Sequence, residues 1–174
     1  MVRSSQVQQP NPAGRCLGMQ VAAMSGIESL EAVMRGDVPP PPMGELMGMT
    51  LILVEEGRTV FTLTPGGRHD NPMGITHGGA AATLLDSAMG CAVQSTLPAG
   101  GGFTTLDLTV HYVATVTRET GPVLAEGHIV HRGGRTATAE GRLTRVADGR
   151  LLAHATTTCL LTLPAQAPAA AEAA

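Results

Sequence analysis

Residues 71–90 read NPMGITHGGAAATLLDSAMG, and this stretch decides the fold. After Gly79 and up to Thr96, Gly90 is the only Gly or Pro, and apolar side chains recur on almost every face. A helix that is apolar nearly all round is typical of a buried helix. We therefore expect one long helix at the centre of the molecule.

Shorter elements are predicted before this helix. Ser25, followed three residues later by Glu28, forms a capping box that begins an amphipathic helix, and Gly36 ends it. The β-prone runs 51–54 and 59–64 are separated by Glu-Glu-Gly, which predicts a hairpin.

Alternating residues after the helix predict strands. Leu106, Leu108, Val110 and Tyr112 fall on one face of the first strand. Further β-prone runs cover about 122–131, 135–146 and 150–162, with turns at Gly-Gly and Asp-Gly between them. The order of elements predicts an α+β fold in which an antiparallel sheet curls around the central helix.

The composition limits the size, location and partners of the protein. The 174 residues are enough for one domain, which we place at 21–163, with disordered segments at 1–20 and 164–174. No apolar run is long enough to span a membrane, and the first residues do not resemble a secretory signal, so we expect a cytoplasmic protein. A net charge of −3 argues against a general nucleic-acid-binding surface but leaves room for a local basic patch that binds one anionic ligand.

The rarer residue types also exclude some kinds of site. The 3 cysteines are far apart in the sequence, and the histidines have no ligand spacing, so we expect neither disulfides nor a bound metal. With 2 Phe, 1 Tyr and no Trp, the core must be built by close approach of backbone rather than by large side chains.

The start of the central helix has the chemistry of an anion site. Its first N–H groups have no acceptor within the helix, and the helix dipole adds partial positive charge there. Gly78 and Gly79 allow a ligand to approach this backbone, so both could donate to a carbonyl oxygen that becomes an oxyanion. The alternative is a tight turn that merely begins a helix.

Asp86 is the one carboxylate within this apolar helix. It follows Gly78 by eight residues, or about 12 Å of helix rise, which is too far for both to touch one carbonyl group. Two copies with antiparallel helices across a two-fold axis would bring the two groups together. A structural acid with hydrogen-bonded oxygens is the alternative reading.

The spacing of these residues resembles that of a known family. The order of predicted elements and the pattern of six residues match the hotdog-fold acyl-CoA thioesterases of the PaaI-like (phenylacetic acid degradation) type. The six residues are Asn71, Gly74, His77, Gly78, Gly79 and Asp86. The resemblance covers about residues 44–163. It implies a homodimer, possible further assembly into a homotetramer, and hydrolysis of an aryl- or acyl-CoA without a cofactor.

The resemblance also implies catalytic roles. The Gly78 N–H and the Asn71 side chain would hold the thioester carbonyl, and Asp86 of the partner subunit would act as general base or as nucleophile. His77 would shape the site, although a histidine that only binds backbone at the helix start is equally consistent. A Ser or Thr near the carboxylate is expected, and we choose Thr105 over Thr104.

The residues 131–136, HRGGRT, are the predicted contact with CoA. In the resembled family this turn lies close to the CoA moiety, and Arg132 and Arg135 could meet its phosphates. A hairpin turn with solvated arginines is the alternative. The residues predicted to bind CoA are Gly79, Arg132, Gly133, Gly134 and Arg135.

Two other functions remain open from the sequence. A non-catalytic acyl-CoA binding or regulatory protein of the same fold would not require Asp86. A hydroxyacyl-thioester dehydratase would need a histidine base in a different motif. The acyl group, and the choice between CoA and an acyl carrier protein as leaving group, are not determined by the sequence.

Overall fold

The computed structural model describes residues 23–164. The N-terminal segment 1–20 and the tail beyond Pro164, both predicted to be disordered, lie outside the described residues. The strands are β1 (Thr50–Glu55), β2 (Arg58–Leu63), β3 (Gly102–Tyr112), β4 (Val123–Arg132), β5 (Thr136–Arg145) and β6 (Leu151–Thr162). The α-helices are α1 (Gly26–Arg35), α2 (Pro42–Met47) and α3 (Gly78–Gln94).

The strands form one antiparallel sheet around α3, which confirms the predicted α+β fold. Their order across the sheet is β1-β2-β4-β5-β6-β3. The long connection through α3 carries the chain from β2 to the far edge, so β3 pairs only with β6. β3 therefore presents an unpaired edge, 11 residues long, within the part of the chain that is described.

Helix α3 is buried against the concave face of the sheet, as its apolar surface predicts. Leu84, Leu85, Ala88, Met89 and Val93 have no exposed surface. Full burial of each large apolar side chain contributes roughly 1.5–3 kcal/mol to folding. The helix and the sheet therefore stabilise each other through one continuous core.

Close backbone approach replaces large side chains, as the composition predicts. A Cβ atom added to Gly127 of β4 would lie 2.4 Å from the Ala88 carbonyl oxygen on α3. The same carbonyl accepts a 2.7 Å hydrogen bond from the buried Thr59 hydroxyl on β2. Glycine at 127 is thus required for the sheet to contact the helix backbone.

Helix α1 begins and ends at the predicted residues. Ser25 and Glu28 form the capping box, and the Gly36 backbone is left-handed with φ of 82°. Helix α2 was not predicted, because its Pro-rich context argues against a helix. Pro42 occupies its first turn, where proline is compatible with a helix.

The predicted apolar face of β3 is wrong at one residue. A β-bulge between Thr105 and Asp107 interrupts the pairing with β6 and leaves Leu106 58% exposed. The extra residue changes the direction of the following side chains. Thr105 consequently points toward α3 together with Leu108, rather than to the opposite face.

The described helices are too short or too polar to cross a lipid bilayer.

Candidate active site

Asn71 lies in the loop that leads to α3, and backbone N–H groups of this loop donate to the oxygen of its side-chain amide. The Asn71 Oδ1 accepts the N–H groups of Met73 at 2.9 Å and Ile75 at 3.3 Å. Gly74 closes the turn with φ of 76°, a conformation that favours glycine. Because Oδ1 is occupied, the NH2 end of the Asn71 amide is the end available to a ligand.

His69 fixes the same loop from inside the protein. Its buried ring accepts the Gly66 N–H through Nδ1 at 3.0 Å, so Nε2 carries the proton and donates to the Met47 carbonyl at 2.8 Å. Its own carbonyl accepts the His77 N–H at 2.7 Å. His69 thus joins the end of α2 to the start of α3, a role that the sequence did not indicate.

His77 caps the start of α3. Its Nδ1 accepts the Gly79 N–H at 2.8 Å, and its carbonyl accepts the Ala80 N–H at 2.9 Å. The Gly78 N–H has no acceptor among residues 23–164. The prediction that both glycines present free donors is therefore corrected: the Gly79 N–H is occupied, and the Gly78 N–H remains for a ligand.

Tyr112 contacts the helix start and was not predicted as part of the site. Its hydroxyl donates to the Gly78 carbonyl at 2.8 Å. A Cβ atom at residue 78 would lie 3.0 Å from that hydroxyl oxygen, so glycine permits the contact. The single tyrosine of the chain stands at the end of β3, but nothing local to it shows that the end of the strand meets the helix start.

A first cavity of about 320 Å³ opens at the helix start. Asn71, Gly78 and Tyr112 line it, together with the segment 113–116 that follows β3. The cavity holds the two predicted electrophilic groups, the Asn71 amide and the Gly78 N–H. No carboxylate of the described chain lines it.

Asp86 is half-buried on α3 and binds a threonine of β3. The Thr105 hydroxyl donates to Asp86 Oδ1 at 3.1 Å. The bulge at Leu106 orients Thr105 toward the helix, while Thr104 is exposed. The structure therefore brings Thr105, the residue chosen from the sequence, to the carboxylate.

A second cavity of about 380 Å³ lies beside Asp86. Helices α1 and α2 cover it, and its lining is mainly apolar, with Asp86 and Ser87 at its polar end. Burial, with a smaller contribution from the Asp86 charge, raises the pKa of the Cys91 thiol in this wall to about 12. Cys91 thus remains protonated at neutral pH and serves as part of the apolar lining.

The two cavities have no lining residue in common. Within one chain, the Gly78 and Asn71 donors and the Asp86 carboxylate therefore face separate spaces. This separation agrees with the distance of two helical turns that the sequence indicates between Gly78 and Asp86.

The turn predicted to contact CoA joins β4 to β5 and is accessible. Arg132, Gly134 and Arg135 are exposed, and neither arginine forms an ion pair with an acid of residues 23–164. Arg132 pairs with Ala137, Ala137 with Cys159, and Cys159 with Thr105. Three strand spacings, about 14 Å, thus separate the turn from Thr105.

The other histidines form no metal site with their neighbours in the described chain. Across residues 23–164, no group of three or more His, Cys, Asp or Glu side chains has an arrangement that could hold a metal ion. His111 and His154 stack on the outer face of the sheet with ring centroids 4.8 Å apart.

Comparison with known families matches a segment that contains Gly78, Asp86 and Thr105 and begins two residues after Asn71. The thioesterase superfamily matches residues 73–152. A candidate esterase of Halobacterium salinarum is 37% identical over 82 residues, which are 46% of this chain and 52% of that protein. The chain therefore aligns with about half the length of this curated relative.

Solved structures show the same fold over most of the chain. A candidate thioesterase from Ralstonia eutropha JMP134, described as phenylacetic acid degradation-related, has a TM-score of 0.68 and 26% identity, covering 75% of this chain and 98% of that one. Zebrafish thioesterase superfamily member 2 has a TM-score of 0.67 and 22% identity, covering 78% of this chain and 98% of that one. These similarities identify the fold as the hotdog fold.

Proposed function

From the hotdog fold and the thioesterase-superfamily segment at residues 73–152, we propose that this protein hydrolyses an acyl-CoA or aryl-CoA thioester to a free acid and CoA. The superfamily match and the thioesterase neighbours support hydrolysis of a thioester. The observation that carries the proposal is the separation of two complementary half-sites, Gly78 with Asn71 and Asp86 with Thr105, into different cavities. The proposed chemistry uses side-chain and backbone groups of this chain and of a second copy of it.

The free edge of β3 supports a dimer that completes the site. Thr105 at one end of the strand touches Asp86, and Tyr112 at the other end touches Gly78. Antiparallel pairing of β3 with a second copy about a two-fold axis near Thr109 would set Thr105 opposite Tyr112 of the partner subunit. Each Asp86 would then face the donors of the other chain.

The proposed reaction begins with polarisation of the thioester. The carbonyl oxygen accepts hydrogen bonds from the Gly78 N–H and the Asn71 NH2 group, where the helix dipole also favours negative charge. Asp86 of the partner subunit removes a proton from water as the water oxygen attacks the carbonyl carbon. The resulting oxyanion collapses, the C–S bond breaks, and the departing CoA sulfur receives the proton.

A second route uses the same residues. Asp86 of the partner subunit attacks the carbonyl carbon, CoA leaves, and water then hydrolyses the mixed anhydride to the free acid and the original carboxylate. Thr105 holds the carboxylate in either route, because its hydroxyl donates to Asp86 Oδ1 at 3.1 Å. His77 positions the helix start by occupying the Gly79 N–H, rather than by transferring a proton.

CoA would extend over the turn between β4 and β5. The guanidinium groups of Arg132 and Arg135 can pair with its phosphates, and Gly133 and Gly134 leave room for close approach. Gly79 is exposed beside the oxyanion donors, and the pantetheine arm of CoA would lie against it. This placement rests on the exposure of the turn and on the lack of acidic partners for either arginine among the described residues.

A hybrid dimer tests whether two chains share each site. Asp86→Asn removes the carboxylate, while Asn71→Asp keeps the Oδ1 acceptor of the loop but removes the NH2 donor. Each variant alone should release little thiol from acyl-CoA. A doubly tagged hybrid of the two variants contains one intact site and one with both defects, so it should regain about half of the wild-type rate.

The result that contradicts the shared site is a hybrid as inactive as its parents, provided that it is dimeric. Failure of the wild-type protein to release thiol from a panel of aryl-CoA and alkyl-CoA substrates would contradict the hydrolytic function itself. Retained binding of those thioesters without turnover would instead support the non-catalytic acyl-CoA binding protein.

A further inference from the structure

The lining of the second cavity is mainly apolar, with Asp86 as its one carboxylate among the described residues. We propose that this cavity, beside Asp86, receives an uncharged, apolar acyl group and excludes an acyl group that ends in a carboxylate. We further propose that α1 and α2 of the same chain form the wall that makes this selection. The inference rests on the proposed function, since it assigns the acyl part of that substrate.

The charges of the lining carry the first step. Among the described residues that line the cavity, three have polar side chains: Asp86, Ser87 and Thr50. None of the lining side chains of the described residues is basic. A second carboxylate entering this space would lose water, gain no counter-charge and approach Asp86. Burial of an unpaired carboxylate is strongly unfavourable, whereas transfer of an alkyl or aryl group out of water is favourable.

The aromatic rings carry the second step. The chain has 2 Phe, and both Phe61 and Phe103 line this cavity. A Cβ atom at Gly90 would lie 2.7 Å from the Phe103 ring, so glycine lets that ring lie directly on α3. Both phenylalanine rings of the chain thus lie where the acyl group would bind, and such rings favour apolar and aryl ligands.

The outer wall is built from residues before the superfamily segment. Leu30, Val33 and Met34 of α1, and Met43 of α2, face the cavity opposite α3. These helices lie outside residues 73–152, which match the superfamily. The outer wall is therefore contributed by residues outside the segment that matches the superfamily.

This wall is fixed to the rest of the protein. The Gly26 N–H at the start of α1 donates to the Leu97 carbonyl at 2.8 Å, and a Cβ atom at residue 26 would lie 1.6 Å from the Gln94 carbonyl oxygen. At the end of α2, the Met47 carbonyl accepts the hydrogen bond from His69. A fixed wall can discriminate between acyl groups, because it does not rearrange around an unsuitable one.

Met43 lies at the rim of the cavity. A substitution there can test whether the cavity excludes a terminal carboxylate because its lining has no cation. The Met43 side chain is 51% exposed, so a substitution there leaves the core intact. An arginine at 43 would supply the cation that the lining lacks. Leu46, on the same helix but outside the lining and 69% exposed, provides a control of equal charge.

The experiment compares pentanoyl-CoA with glutaryl-CoA, which has a terminal carboxylate on a chain of the same length. Thiol release gives kcat/KM for each substrate. Titration calorimetry with the two corresponding thioether analogues, which cannot be hydrolysed, gives Kd independently of catalysis. The dimeric full-length protein and its Met43→Arg and Leu46→Arg variants are each measured.

We expect the wild-type protein to favour the pentanoyl compound by roughly a hundredfold in kcat/KM and in Kd. Met43→Arg should reduce this preference by roughly tenfold, while Leu46→Arg leaves it unchanged. Equal binding of both analogues, binding of neither, or an equal response to both arginine variants would overturn the inference. A pentanoyl preference in Kd without thiol release would contradict the proposed function and leave the acyl assignment supported.

Discussion

The Thr105 hydroxyl lies 3.1 Å from the Asp86 carboxylate and joins the edge strand β3 to the middle of the central helix. The contact depends on a bulge at Leu106, which places Thr105 on the concave face of the sheet. The half-site that carries the carboxylate is therefore built at the same edge of the sheet that is free to pair with a second copy.

Replacement of Asp86 by asparagine should lower kcat for thioester hydrolysis by about a thousandfold, because the amide cannot accept a proton from water or attack the carbonyl. Thiol release measures the rate, and circular dichroism with size-exclusion chromatography checks fold and assembly. Glu56→Gln is the matched control, since Glu56 is an exposed acid in the turn between β1 and β2, away from the β3 edge. Full activity in Asp86→Asn, or an equal loss in both variants, contradicts the role assigned to Asp86.

Thr105→Val should reduce kcat by roughly tenfold, because it removes a hydrogen bond to an ionised carboxylate while keeping the shape of the side chain. The same change at Thr104, whose side chain is exposed on the neighbouring residue, should leave the rate unchanged. Parallel measurement of kcat for the two variants distinguishes the residues. A larger loss at 104 than at 105 would show that the wrong threonine has been assigned.

Tyr112→Phe should lower kcat/KM by roughly fivefold, with only a small change in melting temperature. The hydroxyl that is removed donates to the Gly78 carbonyl at 2.8 Å and holds the peptide whose N–H faces the substrate, but the side chain is 56% exposed. Steady-state kinetics and thermal unfolding measure the two effects. A variant with normal kinetics would show that this contact does not orient the donor.

Gly127→Ala should destabilise the fold by about 3 kcal/mol, because the new Cβ would overlap the α3 backbone at Ala88. Urea unfolding measures the loss. Gly102→Ala is the control on another strand, since a Cβ atom there meets nothing within 4 Å. Equal stability of the two variants would mean that the helix moves away from the sheet without cost.

Local signals accounted for most of the elements. Helix α1 is specified by its own capping box at Ser25 and by the left-handed Gly36, and both act within a few residues. The boundaries of α3 and of the later strands follow from apolar patterns and from turn residues such as Gly149. Each of these signals needs no knowledge of the rest of the chain, so sequence alone is sufficient for it.

Contacts between distant segments were not available from such patterns. The bulge at Leu106 depends on how β3 pairs with β6, and it reverses the face on which Thr105 lies. Tyr112 and Gly78 are far apart in the sequence, and they meet only because β3 runs antiparallel to α3. Helix α2 forms in a Pro-rich segment that local rules assign to a loop, and His69 fastens its end.

The sequence by itself determined which residues could carry out the chemistry, because a glycine pair at a helix start and an aspartate eight residues later are a local pattern. The tertiary structure alone decided that Asp86 shares an apolar cavity with α1 and α2, while Gly78 and Asn71 share another with Tyr112. The physical reason is that the cavity walls come from elements far apart in the chain. Their meeting depends on how the sheet curls around the helix.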